Sequence, residues 1–432
     1  MEIYIVKNGD TIESIADNFG LPVEKIVLDN ELTDPSRLVP GEMIVIVYPS
    51  QTHTVLEGES LGSIAALYGI SISELLRNNP ILSDMEFIYP GQELTISYDR
   101  TQSIETFGYA NAFINRQLLA KTLPYLTYLS VFNYQLSSTG EVIENGPDSD
   151  IVEMSTSYGV VPLMHLSAIT VQGELDIETT FNVLTNEALQ DIIIDNVMNI
   201  LQSKGYMGVV LSAQYIDTQN QYLFANYAQN FSDRLDPEGY YTFITIDPNV
   251  SSTDGTVTYE DLNYTAISSP VDAVLALEYR WGFDIIPPGP FLSIDEQDVL
   301  LDHVITQMPA EKVVVGVPIF GYRFELPYVD GFSRNDFLTR SNIINLARDY
   351  GATIEFDESS QNSYYYYEEA DTLVTTQYIV WFINAITIDS LLDLMLEKGI
   401  NKISIWNIMS YFTQLWLILN SQYEIIKLLP EF

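Results

Sequence analysis

The chain has 432 residues, with 18 Lys and Arg against 59 Asp and Glu, a formal net charge of −41. That balance excludes nucleic acid and anionic membrane surfaces as partners. The absence of Cys excludes disulfides, thiolate catalysis and Cys-ligated metals.

The length suits about two to three domains, and 47% apolar residues suffice for a large core. No uninterrupted apolar run reaches about 18 residues, so no membrane span is expected. The N-terminal Met1-Glu2-Ile3-Tyr4 has neither a basic nor an apolar leader pattern, so no secretory signal is expected and synthesis is placed in the cytoplasm. His53, His165 and His303 lie far apart without metal-ligand spacing and read as surface or satisfied core residues. The acids are spread along the chain, the pattern of a solvated, self-repelling surface, and no EF-hand-like loop is present. Neither a metal nor a cofactor is expected.

In chain order the first feature is a repeat. Residues 4–46 read YIVKNGDTIESIADNFGLPVEKIVLDN…LVPGEMIVI, and residues 53–96 read HTVLEGESLGSIAALYGISISELLRNN…IYPGQELTI. Val6, Gly9, Asp10, Ile15, Gly20 and Asn30 recur as Val55, Gly58, Glu59, Ile64, Gly69 and Asn79. Each unit parses as a short strand, a Gly turn and a helix opened by Asp10-Thr11 or Glu59-Ser60. Gly20 or Gly69 closes that helix. A second helix runs to Asn30 or Asn79, and Pro-Gly turns the chain into a last strand, Met43–Val47 or Glu93–Ile96.

This pattern resembles the LysM module. The resemblance implies binding to N-acetylglucosamine-containing glycans such as peptidoglycan or chitin. It places the sugar between the loop after the first strand and the loop after the second helix. Those loops hold Gly9, Asp10, Thr11, Asn30, Glu31 and Leu32 in the first unit. In the second they hold Gly58, Glu59, Ser60, Asn79, Pro80 and Ile81. The alternative reading of the same residues is plain turn and cap chemistry.

Tyr98–Gln102 reads as a short polar linker. Beyond it, strand-like runs alternate with helical patterns: Glu105–Tyr109, Tyr128–Tyr134, Val160–Leu166, Gly208–Tyr215, Tyr241–Asp247, Ala273–Tyr279, Lys312–Phe320 and Lys402–Ile408. Helix-like stretches such as Asn186–Lys204 and Glu296–Gln307 lie between them. The alternation predicts an α/β fold, a (β/α)8 TIM barrel. The gap before the last strand is too long for one helix and holds GATIEFD, SYYYYEEAD and QYIVWFINA, read as a small α+β insertion after strand seven. The expected organisation is therefore 1–48 and 51–98 as βααβ LysM modules and 102–432 as the barrel, with the insertion at about 323–400.

Two LysM units followed by such a barrel resemble glycoside hydrolase family 18, in the branch of spore cortex-lytic N-acetylglucosaminidases. The segments carrying the resemblance are YRWGFDIIPPGP (279–290), MPAEKVVVGVPIFGYRFELPY (308–328), YGATIEFDES (350–359), VWFINA (380–385) and ISIWNIM (403–409). Family members carry D-x-x-D-x-D-x-E at the end of strand four. Its Glu protonates the glycosidic oxygen, while the substrate's own acetamido group attacks the anomeric carbon. The i, i+2 spacing turns these side chains into the barrel mouth.

Here the four motif positions are Met207, Val210, Ser212 and Gln214, none of them a carboxylate. Gln214 is nearly isosteric with Glu, but an amide is no general acid near neutral pH. Asp217, beyond strand four, and Glu278, at the end of strand six, are candidate relocated acids. The resemblance also makes Tyr279 the residue that bonds the acetamido group and Trp406 the aromatic beneath the sugar. The alternative for Trp406 is barrel core. Arg280 departs from the family where an acid is usual, and Ile383-Asn384 departs where Glu-Asp is usual.

The leading expectation is a protein without catalytic activity. It would belong to the spore envelope, be made in the mother-cell cytoplasm and be anchored to peptidoglycan glycan by its LysM pair, with other coat proteins or itself as further partners. The second expectation is an active hexosaminidase using Asp217 or Glu278. The third is a self-assembling coat or appendage subunit, suggested by 29 tyrosines, the run NSYYYYEEAD and the acidic surface.

Overall fold

The computed structural model describes residues 1–84, 87–168, 176–213, 216–247, 250–253, 256–276, 287–290, 292–329, 332–333, 335–370 and 375–432. The repeat folds as two βααβ units. In the first, strands Glu2–Ile5 and Met43–Ile46 pair antiparallel around helices Ile12–Phe19 and Val23–Asn30. In the second, Gln51–Thr54 and Glu93–Ser97 pair around Leu61–Tyr68 and Ile72–Asn78.

Local chemistry fixes the helix ends. Thr11 and Ser60 each accept a bond from the backbone N–H three residues on, at Ser14 and Ser63, whose hydroxyls bond back to the cap. Gly20 and Gly69 end those helices in the left-handed region, at φ 66° and 69°, where a Cβ would be strained.

The cores of the two units are small. Ile12, Ile15, Ile26, Ile44 and Ile46 form the first, and Ile64, Leu75, Leu94 and Ile96 form much of the second. The run Met43–Val47 is apolar at every position because its strand is covered on both sides. Ile44 and Ile46 face their own helices, while Met43, Val45 and Val47 belong to the large core shared with the barrel.

Eight parallel strands form that barrel: β1 (Gln102–Asn111), β2 (Tyr128–Leu136), β3 (Val161–Ser167), β4 (Gly208–Ala213), β5 (Tyr241–Ile246), β6 (Ala273–Ala276), β7 (Val313–Pro318) and β8 (Lys402–Trp406). They pair in sequence order, and β8 returns to β1 with Ile403 opposite Thr106, which closes the sheet. The expected fold is the one observed. Two of the expected strands run past the described residues. β4 ends at Ala213 and β6 at Ala276, and residues 214–215 and 277–286 lie outside the described residues.

Between β7 and β8 the chain builds a five-stranded antiparallel sheet from Gly321–Leu326, Asn335–Leu338, Glu355–Asp357, Asn362–Ala370 and Thr375–Phe382. The tyrosine run pairs along its length with Thr375–Phe382, and at Tyr364 also with Glu355 on the other side. Tyr365 and Tyr367 are buried against Ile343 and Val380, while Tyr366 is exposed on the opposite face.

Residues 98–102 are not a loose linker. Tyr98 is buried, and the Arg100 guanidinium donates to the Asn420 carbonyl and side-chain oxygens, Asn78 Oδ1, Glu74 and Glu424. One side chain thus ties the second LysM unit to the C-terminal helix Thr413–Gln422.

Candidate active site

Strand alternation sorts the barrel residues into two sets. Phe107, Tyr128, Val161, Leu163, Val210, Phe243, Leu275 and Val314 fill the interior. The rings of Phe107 and Tyr128 stack at 4.2 Å, and Phe243 meets Phe107 edge-on at 5.4 Å. This lower interior is solid.

A mixed aromatic and polar layer lies above it, toward the C-terminal ends of the strands. Trp406 on β8 packs 5.1 Å from Tyr109 and 6.2 Å from Phe132. His165 on β3 lies 4.7 Å from Phe132. Its Nδ1 is 3.0 Å from Ser130 Oγ on β2, and its Nε2 is 3.2 Å from Ser212 Oγ on β4. Ser212 Oγ is in turn 3.5 Å from Thr245 Oγ1 on β5. A hydrogen-bonded chain thus crosses four neighbouring strands. Burial pushes the His165 imidazole down to about 3, so it is neutral at physiological pH. His165 is the satisfied core residue the sequence suggests, but it lies within bonding reach of the motif position Ser212.

The other sequence-selected residues are distributed as follows. Met207 precedes β4, half-buried against the interior, with its N–H bonded to the Pro162 carbonyl. Val210 is fully buried in the barrel interior. Trp406 is only 6% exposed, so the ring closes the floor of the mouth rather than standing free. Gln214, Glu278, Tyr279 and Arg280 lie outside the described residues. Asp217 is committed to a turn: its Oδ1 accepts the N–H groups of Gln219 and Asn220, just before the helix Gln221–Leu235. Asn384 caps the helix Ala385–Glu397 by accepting the Thr387 N–H.

In the LysM loops most of the selected side chains serve the fold. Asp10 accepts from the Lys7 N–H and the Tyr4 hydroxyl, which hold its carboxyl below the usual range. Glu59 plays the same part with the Leu56 N–H and His53. Asn30 and Asn79 are buried and bond the backbone of the following strand, at Val45 and Thr95. Gly9 and Gly58 adopt φ of 92° and 85° in open space. Pro80 and Ile81 begin a short 3-10 turn, with Ile81 exposed.

The first unit's second loop is drawn against the barrel. Asn30, Glu31 and Leu32 line a cleft of about 310 Å3 together with Arg340, Tyr411 and Gln414. Glu31 bonds Lys121 and Thr413, and the Gln414 amide donates to the Asn30 side chain and the Met43 carbonyl. Nothing in the spacing of the repeat signals this meeting, since Gln414 lies 384 residues from Asn30.

The architecture is a closed parallel (β/α)8 barrel whose strand ends carry a polar layer, preceded by two βααβ units. Glycosyl hydrolases family 18 matches residues 168–410, more than half of the chain, and the LysM domain matches residues 4–47 and 53–97. The chain belongs to glycosyl hydrolase family 18 and carries two LysM domains.

Particular relatives share this whole arrangement. The cortical fragment-lytic enzyme of Bacillus subtilis is 27% identical over 433 residues, covering 99% of both chains. That of Bacillus anthracis is 26% identical with the same coverage. The crystal structure of the Bacillus cereus spore cortex-lytic enzyme SleL superposes with a TM-score of 0.79 at 25% identity, over 99% of both chains.

These relatives correct the leading expectation. The missing carboxylates at Met207, Val210, Ser212 and Gln214 suggest a protein without activity, yet the full-length relatives are enzymes by name. The inference of inactivity looked at one strand, whereas a barrel mouth is assembled from the ends of all eight.

Proposed function

We propose that this protein is a glycosidase acting on N-acetylglucosamine-containing fragments of the spore cortex, with its LysM pair holding the glycan. The observation carrying this reading is its end-to-end likeness, through both LysM units and the barrel, to enzymes named for lysis of cortical fragments. The place of action is the spore envelope, as the names of the relatives suggest. No helix among the described residues is long and apolar enough to cross a membrane.

Cleavage of such a glycan requires a proton for the departing oxygen, and the substrate's acetamido group can serve as the nucleophile. Val210 and Ser212 on β4 supply no proton, so the donor comes from another strand end. The polar layer of Ser130, His165, Ser212 and Thr245 beneath the mouth fixes the floor on which the reacting sugar rests.

The test is incubation of the full chain with muramic-δ-lactam-containing cortex fragments, followed by mass spectrometry for new reducing ends. Shortened fragments are the expected result. Intact fragments at high enzyme concentration, with binding shown by calorimetry, would sink the proposal.

A further inference from the structure

We propose that Asp247, at the C-terminal end of β5, is the proton donor of this cleavage. The inference rests on the glycosidase reading above and names the residue that reading lacks.

The argument is one of register. β4 and β5 run parallel, with Val210 opposite Phe243, Leu211 opposite Ile244, Ser212 opposite Thr245 and Ala213 opposite Ile246. Phe243 fills the barrel interior, and Thr245 Oγ1 meets Ser212 Oγ there, at 3.5 Å. Ile244 and Ile246 belong instead to the core outside the barrel. Alternation carried one residue further returns Asp247 to the inward side, half-buried and two positions beyond the Ser212–Thr245 pair. That is the level at which the family resemblance puts its acid, displaced sideways by one strand spacing of about 4.8 Å.

Among the described residues the rival carboxylates are less well placed, and Glu278 lies outside those residues. The Asp217 carboxylate is taken up by two backbone N–H groups of its own turn. Glu105, which bonds Lys402, and Asp272, which accepts the Thr242 N–H, lie at the opposite, N-terminal end of the barrel strands. Trp406, Tyr109 and Phe132 form an aromatic floor at the ends of β8, β1 and β2, across the barrel mouth from the end of β5.

In the step, the protonated Asp247 carboxyl gives its proton to the glycosidic oxygen. The bond from that oxygen to the anomeric carbon breaks, its electron pair staying with the oxygen, which leaves as a sugar hydroxyl. The carbonyl oxygen of the neighbouring acetamido group forms the new bond to the anomeric carbon. Water then adds at that carbon, the acetamido oxygen is released, and the proton lost by the water returns to the Asp247 carboxylate.

The experiment compares the wild-type full chain, Asp247→Asn and Asp217→Asn on two substrates: cortex fragments, and a dinitrophenyl N-acetylglucosaminide whose leaving group needs no proton. For Asp247→Asn the expected result is a loss of about 10²–10⁴-fold on the fragments, with first-turnover release of dinitrophenolate and calorimetric affinity for fragments retained. Asp217→Asn is expected to keep wild-type turnover. Full activity of Asp247→Asn on fragments would overturn the assignment and leave the glycosidase reading standing. Equal loss on both substrates with weakened fragment binding would reduce Asp247 to a structural role and also overturn it. A wild type that cleaves neither substrate would bring down the glycosidase reading itself.

Discussion

Ser212 Oγ sits 3.2 Å from Nε2 of His165, and the same imidazole reaches Ser130 through Nδ1 at 3.0 Å. A buried, neutral ring thus occupies the space beside the motif position where the family pattern has a carboxylate. A buried carboxylate there would favour a charged imidazole, whereas two hydroxyls suit a neutral one, because a hydroxyl can both donate and accept.

This arrangement has a pH signature. Burial holds the folded-state value of His165 near 3, below the ordinary 6.5. Between those values the unfolded chain binds a proton that the folded chain does not, so stability falls as pH falls. The slope is about 1.4 kcal/mol per pH unit from this one group. The stability advantage of the wild type over His165→Gln should therefore shrink by about that amount per unit as pH is lowered from 6 to 5, as measured by urea unfolding. An advantage independent of pH would contradict the neutral, buried assignment.

Asp148 should lose stability in the same direction, but over a lower pH range. It is fully buried and accepts bonds from Tyr134, Tyr206, Asn133 and Lys204 at 2.6–2.9 Å. Burial pushes its carboxyl up, but these bonds outweigh that effect and hold it below the usual range. Its stabilisation is present above the ordinary carboxylate value and lost as pH falls through the lower folded value. Asp148→Asn should cost about 3–5 kcal/mol at neutral pH, because it leaves a charged Lys204 with one fewer partner. Chemical denaturation at pH 7 checks this, and a cost under about 1 kcal/mol would mean the network is dispensable.

The two Pro-Gly turns should respond unequally to the same substitution. Gly41 and Gly91 have φ of 86° and 89°, so Ala is strained at both. A Cβ on Gly91 meets nothing within 4 Å, while one on Gly41 falls 1.9 Å from the Ile354 carbonyl oxygen. The Ile354 N–H also donates to the Pro40 carbonyl, at 2.9 Å. Gly91→Ala should cost about 1–2 kcal/mol. Gly41→Ala should cost more and speed amide exchange at Ile354, read by hydrogen-exchange mass spectrometry. Unchanged exchange at Ile354 would contradict the contact.

Arg100 should control the attachment of the second LysM unit. Its side chain is only 6% exposed and bonds Asn78 and Glu74 on the LysM side, and Asn420 and Glu424 on the other. Arg100→Ala leaves both carboxylates short of a partner. Scanning calorimetry should then show an early transition for the released unit ahead of the barrel. A single unsplit transition at the wild-type temperature would show that the remaining apolar contact holds the unit alone.

Much of the fold is legible along the chain. Alternating apolar strands and amphipathic helices determine the barrel, since each strand needs a covered face and each crossover supplies one. The Gly20 and Gly69 stops, the Thr11 and Ser60 caps and the repeated Pro-Gly turns determine the LysM units, because these are short-range backbone requirements.

What only the tertiary structure decided is which distant residues meet. His165 reads alone as a core histidine, yet the barrel sets it against Ser130 and Ser212. Asp247 closes a predicted strand and carries no motif, and its candidacy rests on the β4–β5 register, in which Ala213 stands opposite Ile246. Asn30 looks like a loop residue for glycan contact until Gln414 is folded onto it. Periodicity and turn chemistry act over a few residues and are written in local sequence. Register between strands and docking between units depend on how separate elements pack, and one sequence of local preferences does not state that packing until the sheet has closed.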